Sequence, residues 1–196
     1  MLTLIRHGES LANAQGRLSG WQDVPLTPKG CAQAEMAGEL LLDSPCQSVW
    51  ASDLVRAKTT AEIAMGVWSK HTRSTPSICI SAALRERRMG VLQGHLKTEL
   101  KRHNRLDILK TWSQAPESGE SFQQLAQRVF PCLELIPDNS FVFAHGGVIR
   151  MILGVSQGVP ASEWMFWTIP NANPIEVEVP KEGWQSRNHR LHNDIG

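Results

Sequence analysis

Short apolar runs alternate with longer amphipathic segments along the whole chain. Five of these runs are compact and contain residues that favour strands, and turn-forming or polar residues separate them from the neighbouring segments. They lie at residues 2–5, 48–51, 78–80, 141–144 and 175–179. The last run alternates Ile and Val with Glu, which is typical of an edge or half-exposed strand. The pattern therefore predicts five short strands.

Helical patterns lie between these runs, and several have readable ends. The Thr27–Pro28 pair suits the N-cap and first position of a helix that runs towards residue 42. Ser52–Asp53 is predicted to cap a helix that runs to about residue 68. Ser121 and Gln124 have the spacing of a capping box, and an apolar stripe follows them. Pro131 lies within that stripe and is predicted to kink or shorten the helix.

Strands and helices alternate without an internal repeat, which favours an α/β fold. We predict a three-layer sandwich in which helices flank a mainly parallel central sheet. The length of 196 residues suits one domain, and no linker divides the chain. We place this single domain at residues 1–182. Residues 183–196 are polar, and we predict that they form a loose C-terminal tail.

Composition and charge exclude several classes of function. The chain has 20 Lys and Arg against 19 Asp and Glu, so the overall charge gives no reason to expect a nucleic-acid or membrane partner. No run approaches the roughly 20 apolar residues of a membrane span, and none resembles a signal peptide. A cytoplasmic location is therefore expected. The chain contains no Tyr, which excludes any tyrosine-based chemistry. Both a monomer and a homodimer remain open.

Two local features compete as candidate sites. Residues 85–110 contain eight Lys or Arg and three Asp or Glu. We interpret this excess as a solvated face that partly lines a substrate entrance, in preference to a nucleic-acid surface. His189 and His192 have the spacing of metal ligands, but the segment around them is polar and has few carboxylates. We predict no metal site.

The candidate chemistry lies where predicted strands end. Arg6, His7 and a glycine follow the first strand, and His145 and two glycines follow the strand at residues 141–144. Arg56 lies in the first turns of the helix after another strand. In open α/β sheets, the carboxyl ends of parallel strands form the ligand-binding edge. Each motif alone is weak evidence, but together they predict a site where two histidines and two arginines converge.

These motifs resemble those of the histidine phosphatase superfamily, which is also called the phosphoglycerate-mutase-like family. LTLIRHGES resembles its amino-terminal signature, and SDLVRAKTTAE, LRERRMGVLQG, PESGESFQQLAQRV and FAHGGVIRMIL resemble four later blocks. The blocks occur in the family's order and cover most of residues 2–179. The resemblance implies a phosphoglycerate-mutase-like fold and phosphoryl-transfer chemistry.

The resemblance also implies a role for each matching residue. His7 would be the nucleophile that forms a phosphohistidine, and Glu86 would be the general acid and base. Positive charge and hydrogen bonds for the phosphoryl oxygens would come from Arg6, Arg56 and His145. Further contacts to substrate or phosphate would come from Asn13, Ser19, Gly20, Arg87 and Gly146. The resemblance implies neither a cofactor nor a metal, and the expected partner is a small phosphorylated metabolite.

Both phosphatases and mutases share the phosphohistidine. Mutases of the family carry an arginine-bearing insertion after the Glu86 block, whereas only residues 87–117 separate Glu86 from Ser118 here. Met89 stands where the mutases have a tyrosine. We therefore expect a phosphomonoester phosphatase. A cofactor-dependent phosphoglycerate mutase is the alternative, and an inactive module that binds a phosphorylated ligand is a remote one.

Overall fold

Five short strands form one sheet in the computed structural model, which describes residues 1–193. Each strand begins and ends within two residues of a predicted run, so the five predicted strands are confirmed. The strands are β1 (Leu2–Arg6), β2 (Val49–Ser52), β3 (Ile78–Ser81), β4 (Ser140–Ala144) and β5 (Pro174–Val177).

The sheet has the strand order β3-β2-β4-β1-β5. The first four strands pair in parallel, and β5 pairs antiparallel with β1 at the edge. Arg6 at the end of β1 lies opposite Ala144 at the end of β4, and Ala51 of β2 lies opposite Phe143. The carboxyl ends of these three strands therefore meet at one edge of the sheet, as the sequence predicts.

Eight helices connect and cover the strands within residues 1–193. The longest, α3, has 18 residues and carries several charged side chains, and none of the described helices is long and apolar enough to cross a membrane. Short 3₁₀ segments occur at Ala82–Leu84, Gly90–Leu92 and Asp107–Lys110. The α-helices are α1 (Leu11–Ala14), α2 (Pro28–Leu40), α3 (Val55–Thr72), α4 (Lys97–Arg102), α5 (Phe122–Leu133), α6 (Gly146–Gln157), α7 (Ala161–Trp164) and α8 (Trp184–Asn193).

Helices cover both faces of the sheet. On one face, α2 and α3 bring small residues such as Ala37 and Ala61 against Phe141. On the other, α5, α6 and α8 pack a larger core that includes Leu125 and Ile152. These side chains are almost fully buried, and burial of apolar surface is the main force that holds such layers together. The predicted three-layer α/β sandwich is confirmed.

Two helices begin as the sequence predicts. The hydroxyl of Thr27 accepts from the Gly30 amide at 3.0 Å, which caps α2. Ser121 and Gln124 form the reciprocal capping box of α5. Pro131 lies in the last turn of α5, and the helix ends two residues later. The proline has no N–H to donate to the preceding turn, and the helix accommodates it within its last turn.

The start of α3 differs from the prediction. The helix begins at Val55, whose amide donates to Oδ1 of Asp23 at 2.7 Å, so neither Ser52 nor Asp53 caps its first turn. Asp53 instead binds Arg85 through two hydrogen bonds of 2.8 and 2.6 Å, and Ser52 is buried at the end of β2. Both cap-forming side chains are therefore engaged by the tertiary structure.

The predicted loose tail is wrong for the part of it that the structure describes. Residues 184–193 form α8, so the packed domain extends beyond residue 182. Trp184 is fully buried, and its ring stacks on Phe130 of α5 at 6.0 Å. Glu134 accepts from the Trp184 amide at 2.7 Å. One large apolar side chain thus anchors a polar segment, because burial of an indole outweighs the polar character of the residues around it.

Candidate active site

A cavity of about 300 Å³ opens at the sheet edge where β1 and β4 end. His7 directly follows β1, and His145 directly follows β4. Because Arg6 and Ala144 are paired in the sheet, these next residues are neighbours, with ring centroids 5.2 Å apart in an edge-to-face arrangement. Both imidazoles are buried. The parallel pairing of two strands therefore brings the two predicted histidines together.

His7 is held as a neutral imidazole whose Nε2 carries no proton. Its Nδ1 lies 2.7 Å from the Gly8 carbonyl oxygen, which can only accept, so Nδ1 carries the proton. Nε2 accepts from Nε of Arg56 at 3.2 Å. Burial, followed by the positive charges of Arg56 and Arg6, lowers the pKa of His7 well below its ordinary value. Nε2, the nitrogen that faces the arginine, is therefore the one that carries the unprotonated electron pair.

Arg56 is fully buried behind His7. Besides its bond to His7, it donates to the carbonyl oxygens of Gly20 and Gln22, each at 2.8 Å. Burial lowers the pKa of Arg56 to about 10, so the guanidinium is still charged at neutral pH. These three bonds use three of its five N–H groups. One hydrogen on each terminal nitrogen is not used by these bonds.

Arg6 lines the cavity itself. Its Nη1 donates to the Ile169 carbonyl at 2.6 Å, and its Nε is buried without a partner among the described residues. Gly146, which also lines the cavity, lies beside this Nε, and a Cβ there would be in van der Waals contact with it at 3.4 Å. Because an unmatched buried donor is costly, this geometry favours an anion beside Arg6.

His145 is oriented by a serine. Its Nε2 lies 2.9 Å from Oγ of Ser52, which already accepts from the Leu54 amide at 3.3 Å. No other acceptor for the Ser52 hydroxyl is found within residues 1–193, so this hydroxyl donates to Nε2. Nδ1 of His145 therefore carries the ring proton, and it is buried without a partner in the same part of the chain.

The charge of His145 follows from its surroundings. Burial and then the positive charge of Arg56 lower its pKa well below the ordinary value. Of the two roles expected from the sequence, a hydrogen-bond donor or a positive charge, the structure favours the neutral donor. Its Nδ1–H is available for an oxygen that bears negative charge.

Glu86 is fixed at both its side chain and its backbone. One carboxylate oxygen accepts from the Arg87 amide at 2.8 Å, and the other accepts from the Gly147 amide at 3.1 Å. Its carbonyl oxygen accepts from the Trp21 indole at 2.6 Å and from Arg128 at 2.8 Å. The carboxyl group thus has a defined place on the cavity wall, beside the first turn of α6.

Two glycines close to the histidines, Gly8 and Gly147, stand where a larger side chain would not fit. A Cβ on Gly8 would overlap the carbonyl oxygen of Gly30 in α2, and one on Gly147 would overlap the Glu86 carboxylate. Neither glycine has a positive φ angle. These positions need glycine because other groups approach the backbone closely.

The comparison with known protein families matches these features. The model of the histidine phosphatase superfamily (branch 1) matches residues 2–192, nearly the whole chain.

The chain belongs to the histidine phosphatase superfamily.

Proteins similar to this chain include both mutases and phosphatases. A 2,3-bisphosphoglycerate-dependent phosphoglycerate mutase of Chlamydia abortus is 30% identical, over 89% of this chain and 91% of the mutase. The structure of a mycobacterial glucosyl-3-phosphoglycerate phosphatase in complex with VO3 has a TM-score of 0.76 and 27% identity, and the match covers 88% of each chain. The structure of TTHB049 from Thermus thermophilus has a TM-score of 0.71 and 34% identity, over 91% of this chain and 93% of that one.

The cavity of this histidine phosphatase superfamily member collects most of the predicted site residues. Arg56 and His145 lie behind it, in contact with His7 and Ser52 respectively. Oδ1 of Asn13 accepts from the Ser10 amide at 3.3 Å, so its amide nitrogen is the group left for a phosphate. The predicted residues that line the cavity are Arg6, His7, Asn13, Ser19, Gly20, Glu86, Arg87 and Gly146.

Several residues of the site were not predicted individually. Ser52 was interpreted as a helix cap, and nothing in its local sequence indicates a histidine partner. Arg150 lines the cavity but follows His145 by more than one helical turn, so the motif at His145 does not indicate it. Lys97 also lines the cavity, and the charge excess of the basic segment 85–110 is the one feature of the sequence that points to it. The basic side chains that line the cavity in the described structure are Arg6, Arg17, Arg87, Lys97, Lys110 and Arg150, and its acidic one is Glu86.

Proposed function

We propose that the protein is a phosphomonoester phosphatase that acts on a small phosphorylated metabolite through a phosphohistidine on His7. The observation that carries this proposal is the neutral His7 ring at the cavity, with its proton on Nδ1 and its electron pair on Nε2. A cavity of about 300 Å³ suits a small ester. Similarity to a solved phosphatase structure supports the same class of reaction.

In the first step, Nε2 of His7 attacks phosphorus and the ester oxygen leaves. Arg6, Arg56 and the Nδ1–H of His145 would hold the three phosphoryl oxygens. The incoming ester lies near the Glu86 carboxyl group, which acts as the general acid in this step. Glu86 then gives its proton to the leaving oxygen, so the alcohol departs neutral.

In the second step, water attacks the phosphohistidine. The Glu86 carboxylate takes a proton from this water as the new P–O bond forms and the P–N bond breaks. Inorganic phosphate leaves, and Nε2 of His7 recovers its electron pair. Neighbouring arginines favour the neutral form of the ring, so the leaving nitrogen need not be protonated first.

The donor set supports metal-independent catalysis. Arginine side chains do not bind metals, and both nitrogens of His7 already have protein partners. The charge that Mg²⁺ supplies in many phosphoryl-transfer enzymes would here come from guanidinium groups. We expect activity to survive treatment with EDTA. Strong inhibition that added metal reverses would contradict this part of the proposal.

A phosphoglycerate mutase is the second candidate, and the charge of the cavity favours it. Lys97 and Arg150 line the cavity in addition to the groups that would hold one phosphoryl group, so a second anionic group on the substrate could be bound. Two features oppose this candidate. Residues 87–117 form only short helical segments, and Met89 lines the cavity at the position of the mutase tyrosine.

One experiment separates these candidates. The protein is mixed with p-nitrophenyl phosphate or with 3-phosphoglycerate plus 2,3-bisphosphoglycerate, quenched in alkali, and analysed by mass spectrometry for phosphorylated His7. We expect phosphorylated His7 and release of inorganic phosphate. Interconversion of phosphoglycerates far faster than hydrolysis would establish the mutase. If neither turnover nor phosphorylated His7 is observed, both candidate functions are contradicted.

A further inference from the structure

The cavity has an apolar side that the phosphoryl chemistry does not explain. Two separate segments form it: Leu106 and Leu109 from the connection after α4, and Met165 and Phe166 from the turn after α7. Phe166 is 62% exposed, although most large apolar residues of the described structure are buried. An exposed aromatic ring at a cavity mouth is typical of a ligand contact.

Two arginines hold these apolar segments in place. Nη1 of Arg87 donates to the Leu109 carbonyl at 3.2 Å, and Nη1 of Arg150 donates to the Met165 carbonyl at 2.7 Å. The Arg87 guanidinium also lies over the Phe122 ring, 4.3 Å from its centroid. Both arginines line the cavity. They therefore position the two apolar segments at the cavity entrance and also contribute positive charge to the cavity.

The core of the domain supports the segment that carries Phe166. Trp164, at the end of α7, is fully buried and packs edge-to-face on Phe122 at 5.0 Å. A Cβ on Gly154 of α6 would overlap the Trp164 ring, so α6 and α7 are in close contact. Phe166 thus projects from a turn whose neighbours are anchored, and its exposure is not the result of a loose terminus.

We propose that the substrate's alcohol carries an apolar group of about the size of one ring, which packs between Phe166 and the Leu106–Leu109 segment. This inference rests on the proposed function, because it assumes that the phosphoryl group lies at His7. The ester oxygen then points away from His7, and the rest of the alcohol contacts the apolar side of the cavity. Burial of one face of such a ring strengthens binding by roughly tenfold or more.

A matched pair of esters tests this specificity. 2-Phenylethyl phosphate and ethyl phosphate have alkoxide leaving groups of comparable basicity and differ by the phenyl ring. We expect kcat/KM to be about tenfold or more higher for the phenylethyl ester. Equal values, or a higher value for ethyl phosphate or 3-phosphoglycerate, would overturn the proposal.

Variants locate the effect on the apolar side. Phe166→Ala and Leu109→Ala should each lower kcat/KM for 2-phenylethyl phosphate by roughly tenfold and change that for ethyl phosphate less than about twofold. Leu135→Ala is the matched control, because Leu135 is 72% exposed and does not line the cavity. Equal losses on both esters in the two cavity variants would overturn the assignment.

A binding measurement separates this inference from the proposed function. 2-Phenylethylphosphonate and ethylphosphonate carry a P–C bond that cannot be hydrolysed in this way, so their affinities can be measured by calorimetry without turnover. Tighter binding of the phenylethyl compound, lost in Phe166→Ala, supports the apolar subsite even if no ester is hydrolysed. Hydrolysis of both esters without any preference in hydrolysis or binding refutes the subsite and leaves the phosphatase proposal intact.

Discussion

The floor and the mouth of the cavity are built in opposite ways. At the floor, His7, His145 and Arg56 are almost fully buried at strand ends or against them, and a protein partner fixes each side chain. At the mouth, Lys97 and Phe166 lie on short helical segments and turns, and Phe166 is mostly exposed. The side chains at the floor therefore keep one fixed arrangement, whereas residues at the mouth can be replaced without disturbing the sheet.

This difference suggests a division of labour between the two regions. Substitutions at the floor should impair the reaction of every ester, because they change groups that would contact the phosphoryl group or the nucleophile. Substitutions at the mouth should change which alcohol is preferred. Variants at the floor test this division directly, and the largest effect is expected at His7, the proposed nucleophile.

Replacement of the nucleophile is expected to stop the reaction almost completely. His7→Ala should lower kcat for every phosphate ester by about a thousandfold or more, because the proposed phosphohistidine could then not form. Hydrolysis of p-nitrophenyl phosphate and of ethyl phosphate measures this loss. His71→Ala is the control, since His71 is exposed on α3 and should keep wild-type activity. A near-wild-type rate for His7→Ala would refute the nucleophile.

Arg56→Lys should lower kcat/KM by roughly a hundredfold on all esters. Lysine keeps the charge, but it cannot contact His7, Gly20 and Gln22 and still present two donors to a phosphoryl group. The assay uses both esters and a thermal melt to confirm folding. Arg102→Lys, at an exposed position of α4, is the control. A loss confined to one ester would contradict the assignment of Arg56 to the floor.

Ser52→Ala should lower kcat by about tenfold, since Ser52 acts only by orienting His145. The informative measurement is the ¹⁵N NMR spectrum of His145, which should show a proton on Nδ1 in the wild type and a mixture of tautomers in the variant. Ser52→Thr should restore both the spectrum and the rate. The exposed Ser74→Ala is the control. An unchanged tautomer in Ser52→Ala would refute the positioning role.

The buried histidines also predict a modest dependence of stability on pH. The folded pKa values of His7 and His145 lie well below the ordinary value of 6.5, so below about pH 6.5 the unfolded chain takes up protons that the folded protein does not. The free energy of unfolding should therefore fall as the pH drops from 7 to 5, with a decrease of Tm by roughly a few degrees. His145→Asn should show a shallower decrease between the same two pH values. Equal slopes would mean that other groups control the effect.

The sequence predicts the strand ends well because they depend on local patterns. Buried runs of β-favouring residues define β1 and β4, and the residue after each run must lie at the carboxyl edge of the sheet. Caps such as Thr27 and Ser121 are also local, so their prediction is confirmed. Where the same residue type has a tertiary partner, as Ser52 has in His145, local chemistry predicts the wrong role.

The pattern of runs and motifs along the chain was enough to predict the fold class and to place Arg6, His7, Arg56 and His145 at strand ends, and the resemblance to a known family added Glu86. Contacts in the folded protein were needed to infer which nitrogen of each histidine carries the proton and to find that Trp184 anchors α8. It also decided that Phe166 and Leu109 line one cavity. The physical reason is that proton positions and apolar subsites depend on contacts between residues far apart in sequence, and such contacts leave no periodic pattern.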